Sequence, residues 1–268
     1  MRPTIVAGSF YESSFTKLEN QIKELFEKGP GSLPIKKREK SIFAVIAPHA
    51  GYSFSGKCQA WVYKELAEAK FPEVYVILGT NHTSSYNVIN YEDWETPFGI
   101  IKNAGINLKI KEDNMRQEHS IEVQLPFLQF INKDHLKDIK ILPVLTNHYH
   151  EELCKKIAEI KNFILIVSSD FTHFGPNYNY TPFIYNKKEN LYGLDRKAID
   201  FILKLDLEGF LEYTKDKTIC GKGAIANMIK ICQLKKKTKV RLVDYYTSGD
   251  IIKDYTNAVG YGGLIVES

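Results

Sequence analysis

Three runs of buried-type residues each end on side chains that can hold a metal or move a proton. "FAVIAPH" ends on His49, "VYVILGTNH" on His82, and "FILIVSSDFTH" on Asp170 and then His173. Ligands in open α/β sheets bind beyond the carboxyl ends of the strands. If these runs are parallel strands, all four side chains crowd one edge of the sheet. Three imidazoles and a carboxylate in that position indicate a pocket. Neutral imidazole suits iron, copper and zinc, and a histidine beside such a site serves as acid or base. The rival is a Ser-His-Asp hydrolase built on Ser168 or Ser169, but the chain carries no GxSxG elbow.

Two further residues fit the same pocket. Cys220, in "KTICGKGAI", directly precedes a helix that glycines open. A helix N-terminus favours thiolate, the form that binds metals and attacks substrates. Glycines on both sides of Lys222 permit close backbone approach. His119, in "RQEHSIEVQLP", stands between Glu118 and Glu122. The spacing of His119 and Glu122 places both on one face of a helix. Both glutamates also suit the positive end of that helix. His148 and His150 read as surface loop residues, and His135 as solvated.

The elements that must position these groups follow from the hydrophobic pattern. "SIFAVIAPH", "EVYVILGT", "IKILPVL" and "NFILIVSSD" are short and apolar throughout, as strands buried on both faces of a parallel sheet are. "SGKCQAWVYKELAEA" predicts a helix with Ser53 and Ser55 as candidate caps. "HSIEVQLPFLQFINK" predicts another, with Pro126 disturbing its geometry. "EELCKKIAEIK", residues 189–204, residues 207–214 and "GKGAIANMIKICQLKK" complete the helices. Residues 86–102 predict a hairpin excursion. "KVRLVDYYTSG" and "AVGYGGLIVES" predict a closing pair of strands. The expected fold is α/β, with a mostly parallel central sheet covered by helices on both faces. No linker divides the chain, so residues 1–268 are expected to form a single domain.

Composition narrows the function classes. The 268 residues are 44% hydrophobic and 25% charged, enough to build a sizeable core. The net charge of +4 is small for this length. The lysine runs "PIKKREK" and "LKKKTK" lie between apolar segments and read as solvated loops, not a nucleic-acid surface. The four cysteines form no CxxC pair, and no stretch approaches a membrane span. Absence of a secretory h-region points to a cytoplasmic chain with reduced thiols.

"RPTIVAGSFY", "APHAGYSFSG", "LGTNH", "EHSIEVQLPFL", "ILPVL", "VSSDFTHFG" and "TICGKGAI" occur in that order. Together they resemble the Memo family, protein B of the AmmeMemoRadiSam group, over nearly the whole chain. The resemblance implies a class III extradiol dioxygenase-like fold. It implies a metal site of His49, His82 and Cys220, with Asp170, His173 and His119 in the same pocket. Phe10 and Tyr11 match an aromatic pair near the cleft, and Tyr52 and Phe54 are expected to wall it. Thr80 and Ala224 stand where many relatives carry proline, which removes no ligand. Iron and copper are both associated with the family. The thiolate draws a two-His, one-Cys site toward copper(I) or zinc. The expected role is metal-dependent and redox or oxygenase-like, with His173 as acid/base and Asp170 orienting it. The alternatives are a peptide-binding module using the same cleft and a metal-assisted hydrolase. The ligand is expected to be a small molecule or a peptide, and neither nucleic acid nor membrane is an expected partner. Substrate and oligomeric state are not set by the residues.

Overall fold

The computed structural model describes residues 1–268. The chain runs through α1 (Phe15–Lys28), β1 (Ile42–Ala47), α2 (Tyr52–Ala67) and β2 (Val74–Thr80). Four short strands follow: β3 (Val88–Ile89), β4 (Trp94–Thr96), β5 (Gly99–Asn103) and β6 (Lys111–Glu112). A 3-10 turn (Glu122–Gln124) leads into α3 (Leu125–Ile131), then β7 (Lys140–Thr146), α4 (Glu151–Glu159) and β8 (Phe163–Ser168). The remainder is β9 (His173–Phe174), α5 (Lys187–Leu203), α6 (Leu207–Thr214), α7 (Lys222–Leu234), β10 (Val240–Thr247), α8 (Ser248–Ile252) and β11 (Ala258–Glu267).

The expected α/β fold is present. Its centre is four parallel strands in the order β1-β8-β2-β7. The closing pair is antiparallel, as expected, and extends the sheet beyond β1 through β11 and then β10. β3 runs antiparallel along β7 on the other side. The excursion after β2 contains the expected hairpin, β4 against β5, whereas Val88 and Ile89 join the main sheet.

Alternation along the central strands feeds two cores. Val45, Ile77, Ile141 and Ile166 pack with Leu18, Phe26, Val62 and Phe127 on the face of α1, α2 and α3. Ile46, Val76, Leu78 and Val167 pack with Leu153, Ile199, Phe210 and Ile225 on the face of α4 to α7. Both faces are covered, which is why these strands carry no polar alternation.

Three local expectations are corrected. α2 begins at Tyr52 with Gly51 as N-cap, so neither Ser53 nor Ser55 caps it. Ser55 lies inside the helix and donates its hydroxyl back to Ala50 O at 2.7 Å. The helix predicted over 119–133 is a 3-10 turn and a short α-helix. Pro126 sits in the first turn of α3, where its missing N–H costs nothing, so it starts the helix. Residues 15–28, unassigned from the sequence, form α1, capped by Ser14 and seated through Leu18, Ile22 and Phe26. No helix is long and apolar enough to cross a membrane.

Candidate metal centre

The parallel register aligns the carboxyl ends of three strands. Ala47 pairs with Ser168, and Leu78 with Val167. His49, His82 and Asp170 each lie two residues past the end of β1, β2 and β8. Cys220 comes from the other direction, immediately before Gly221, the N-cap of α7. A Cβ at Gly221 would stand 2.5 Å from Ser169, and one at Gly223 would stand 2.6 Å from the Asn147 backbone. The two glycines therefore let α7 press its N-terminus against the strand ends, which delivers the thiol.

The sulfur meets two imidazoles. His49 Nε2 is 3.2 Å from Cys220 Sγ, and His82 Nε2 is 2.8 Å from it. Hydrogen bonds on the far side of each ring set its tautomer. Ser168 Oγ donates its one proton to Ser120 O at 2.6 Å and accepts from Gln124 Nε2 at 2.8 Å. Its contact with His49 Nδ1, at 3.1 Å, must therefore be donated by the ring, leaving Nε2 with a bare lone pair. His82 Nδ1 lies 3.0 Å from both Glu118 carboxylate oxygens and donates to them, which turns its Nε2 toward the sulfur. Two ring nitrogens converge on one sulfur. This donor set fits a soft or borderline metal ion, with carboxylate and hydroxyl partners orienting the ligands from behind. N and S ligands of a tetrahedral ion stand roughly 3.5 Å apart, so holding one would ask His49 to move by about 0.3 Å and His82 by about 0.7 Å.

His119 belongs to the same cluster. Its ring stacks on His82 at 4.8 Å and 12°, and stands edge-on to His49 at 5.5 Å. The ligating nitrogens of His49, His82 and His119 all lie within 4.8 Å of one another. His119 is thus placed as a further candidate ligand as well as a candidate acid/base.

Electrostatics follow from burial and these contacts. Burial, then His82 and His119, push the His49 pKa well below its ordinary value, so its ring is neutral. Burial alone would raise Glu118, but hydrogen bonds from His82 and backbone amides outweigh it and hold the carboxyl at about 2. Burial works against a charged His82, and the Cys220 and Glu118 contacts overcome it, raising its pKa to about 10. Burial raises the Cys220 thiol, with His82 opposing.

Asp170 and His173 border the cluster, but Asp170 does not orient His173 as expected. Asp170 Oδ1 accepts from the His49 and Ala50 amides at 2.8 and 3.3 Å, and its Oδ2 lies 3.9 Å from His49 Nε2. The His173 ring is held instead by the carbonyls of Phe171 and Thr218, 3.2 and 3.3 Å from Nδ1. Carbonyls only accept, so Nδ1 carries a proton, and in the neutral ring Nε2 is the acceptor.

A cleft of about 510 Å³ opens beside these groups, lined by Phe10, Phe54, His119, Asp170 and His173 among others. Phe10 stands edge-on to His119 at 4.8 Å. Tyr11 and Tyr52, expected at the cleft, are core residues. Tyr11 donates to Glu122 Oε1 at 2.7 Å, and Tyr52 to Val123 O at 2.8 Å. Glu122 faces away from the metal ligands and pairs with the fully buried Arg2 at 2.5 Å. Ser168 and Ser169 are both buried outside the cleft, with their hydroxyl protons given to backbone carbonyls. Neither is placed as a nucleophile.

The family model described as Memo-like protein matches residues 2–265. The chain belongs to the Memo family. MEMO1 family proteins of Methanosarcina mazei, Desulfurococcus amylolyticus and Pyrococcus furiosus are 34%, 36% and 35% identical to it. The alignments cover 100%, 98% and 99% of this chain, and 99%, 98% and 99% of those proteins. A solved structure of an uncharacterised protein from Escherichia coli K12 shares 9% identity at a TM-score of 0.45, covering 84% of this chain and 99% of that one. That likeness is too distant to bear on the site. The histidine cluster lies at the carboxyl edge of the sheet.

Sequence reasoning placed Glu118 and Ser168 only as a helix-start charge and a rival nucleophile. They are the groups that set the tautomers of His82 and His49. A carboxylate directly before His119 was the available signal for Glu118. Nothing in the sequence marks Ser168, because its role depends on a neighbouring strand.

Proposed function

We propose that this Memo-family chain is a transition-metal protein in which His49, His82 and Cys220 hold iron or copper for a redox or oxygenase-like role. The observation that carries the reading is the pair of Nε2 atoms directed at one thiol. The thiolate favours copper(I) over a hard ion, and the imidazoles suit either metal. A redox-active ion there would supply one-electron chemistry. The chain's own residues supply the rest. Glu118 and Ser168 fix the ligand rings, and His119 stacks against His82 at the cleft face. His173 Nε2 is available to accept a proton from a ligand in the cleft.

The experiment is anaerobic titration of metal-free protein, carrying no histidine tag, with Fe(II) and separately with Cu(I), followed by metal analysis. One ion per chain in the wild type, and loss of that stoichiometry in Cys220→Ser and His49→Ala, are expected. Equal binding by wild type and both variants would sink the proposal.

A further inference from the structure

The chemistry of the cleft beside the metal ligands narrows what it can take. None of the 36 lysines and arginines lines it. In a chain of net positive charge, a pocket built for phosphate or carboxylate would be expected to hold at least one such group. Its polar lining is made of three serines, Asn257, two tyrosines, His119, Asp170 and His173, and two of these groups offer acceptors without a protein partner. His173 Nε2 has no protein partner, because Nδ1 carries the ring proton toward two carbonyls. Asp170 Oδ2 receives no hydrogen bond, since both amides go to Oδ1. Four aromatic rings, Phe10, Phe54, Tyr178 and Tyr261, form much of the remaining wall. Tyr178 stands edge-on to His173 at 4.9 Å, which brings ring and acceptor to the same place.

Acceptors, ring faces and an absence of cations are complementary to one ligand chemistry. We infer that the cleft receives an organic amine: an apolar or aromatic body ending in an ammonium group. An ammonium carries only donors, which match Asp170 and His173, and ring faces attract a cation. A hydroxyl would satisfy one acceptor but gain nothing from the rings. A phosphate or carboxylate would bring further acceptors against those of Asp170 and His173, with no lysine or arginine in the lining to meet it. The cleft volume of about 510 Å³ admits an amine with a ring or a long side chain. The inference deepens the metal-centre reading and rests on it for any reaction of the amine, but not for its binding.

Isothermal titration of the metal-free chain at neutral pH with benzylamine, benzyl alcohol, benzoate and phenyl phosphate tests it. Benzylamine should bind at least about tenfold more tightly than benzyl alcohol, with both anions weaker still. Asp170→Asn keeps an oxygen for the two amides and should bring benzylamine down to the level of the alcohol. Phe54→Leu, at an exposed position, should weaken benzylamine about threefold and leave the alcohol nearly unchanged. If Asp170→Asn does not fold, the Phe54 variant decides. Binding of an anion as tightly as the amine overturns the inference. So does an unchanged amine preference in a folded variant, or the failure of every probe to bind. The same preparations titrated with Cu(I) report on the metal reading separately. Absent metal binding sinks that reading whatever the order of the probes, and the probe order tests the amine whatever the metal does.

Discussion

The two edges of the central sheet make an instructive pair. At the amino edge, where β2, β7 and β8 begin, lies a cavity of about 1010 Å³, twice the size of the cleft at the carboxyl edge. Lys109, Lys137, Lys140, Lys156 and Lys161 line it, with Glu73, Asp138 and Glu159 among them. Its charged groups are spread around a solvated rim. Lysines there have a simple cause: α4 ends at Glu159, and a helix C-terminus favours nearby cations. At the carboxyl edge the volume is smaller, yet His49, Glu118, Ser168 and Asp170 are all buried and tied to one another. Convergence of buried polar groups on the candidate ligands marks a candidate chemical site. The size of an opening does not.

The difference can be broken or sharpened by experiment. The largest effect belongs to the ligands. If the three proposed ligands share roughly 10–16 kcal/mol of metal binding, losing one should weaken Cu(I) or Fe(II) by about a thousandfold. Competition with a chelator of known affinity reads this for His82→Ala. The joint variant Lys137→Glu, Lys140→Glu at the amino edge should bind metal as the wild type does, and if it does not, the two edges are not independent.

Next comes the brace under the cleft. Arg2 is buried over the Trp94 ring at 4.0 Å and pairs with Glu122, which also accepts from the amides of Ile5 and Val6. Arg2→Met leaves Glu122 buried without its cation and should cost about 3 kcal/mol in urea unfolding. A cost under about 1 kcal/mol would show that the segment carrying Phe10 is held by something else.

A smaller effect separates a ligand from the group that orients it. Glu118→Gln should weaken metal binding about ten- to hundredfold while keeping one ion per chain. The same carboxyl gives a pH signature. Its folded pKa of about 2 lies below the ordinary 4.5, so its contribution to stability is complete above about 4.5 and is lost as pH falls through about 2. The stability gap between wild type and Glu118→Gln should close over that window in acid unfolding curves. A gap independent of pH would remove the His82–Glu118 contact as its source. The smallest effect is expected at the amino edge, where Lys161→Ala should change stability by less than about 0.5 kcal/mol.

Much of this architecture was legible in the sequence because burial writes itself into composition. "IFAVIA" and "FILIV" are apolar at every position since both faces are covered, and two places past the end of each strand stands a candidate ligand or its neighbour. α1 was less visible: Leu18, Ile22 and Phe26 repeat every fourth residue, but charged positions fill the intervals and no strand precedes it. Tyr11 and Tyr52 were placed by chain proximity to cleft residues. Their hydroxyls reach Glu122 and the Val123 carbonyl, partners more than 70 positions away that no local pattern reveals. The tautomers of His49 and His82 were invisible for the same reason.

The spread of the ligands along the chain has a consequence for synthesis. His49 and Cys220 are 171 positions apart, and His82 and Cys220 are 138 apart. The thiol leaves the ribosome after nearly all the central strands, and contacts of such long sequence separation form late in folding. On the proposed reading, a nascent or truncated chain would present isolated histidines without the thiol. Metal uptake would then follow folding of most of the chain and report that it had finished.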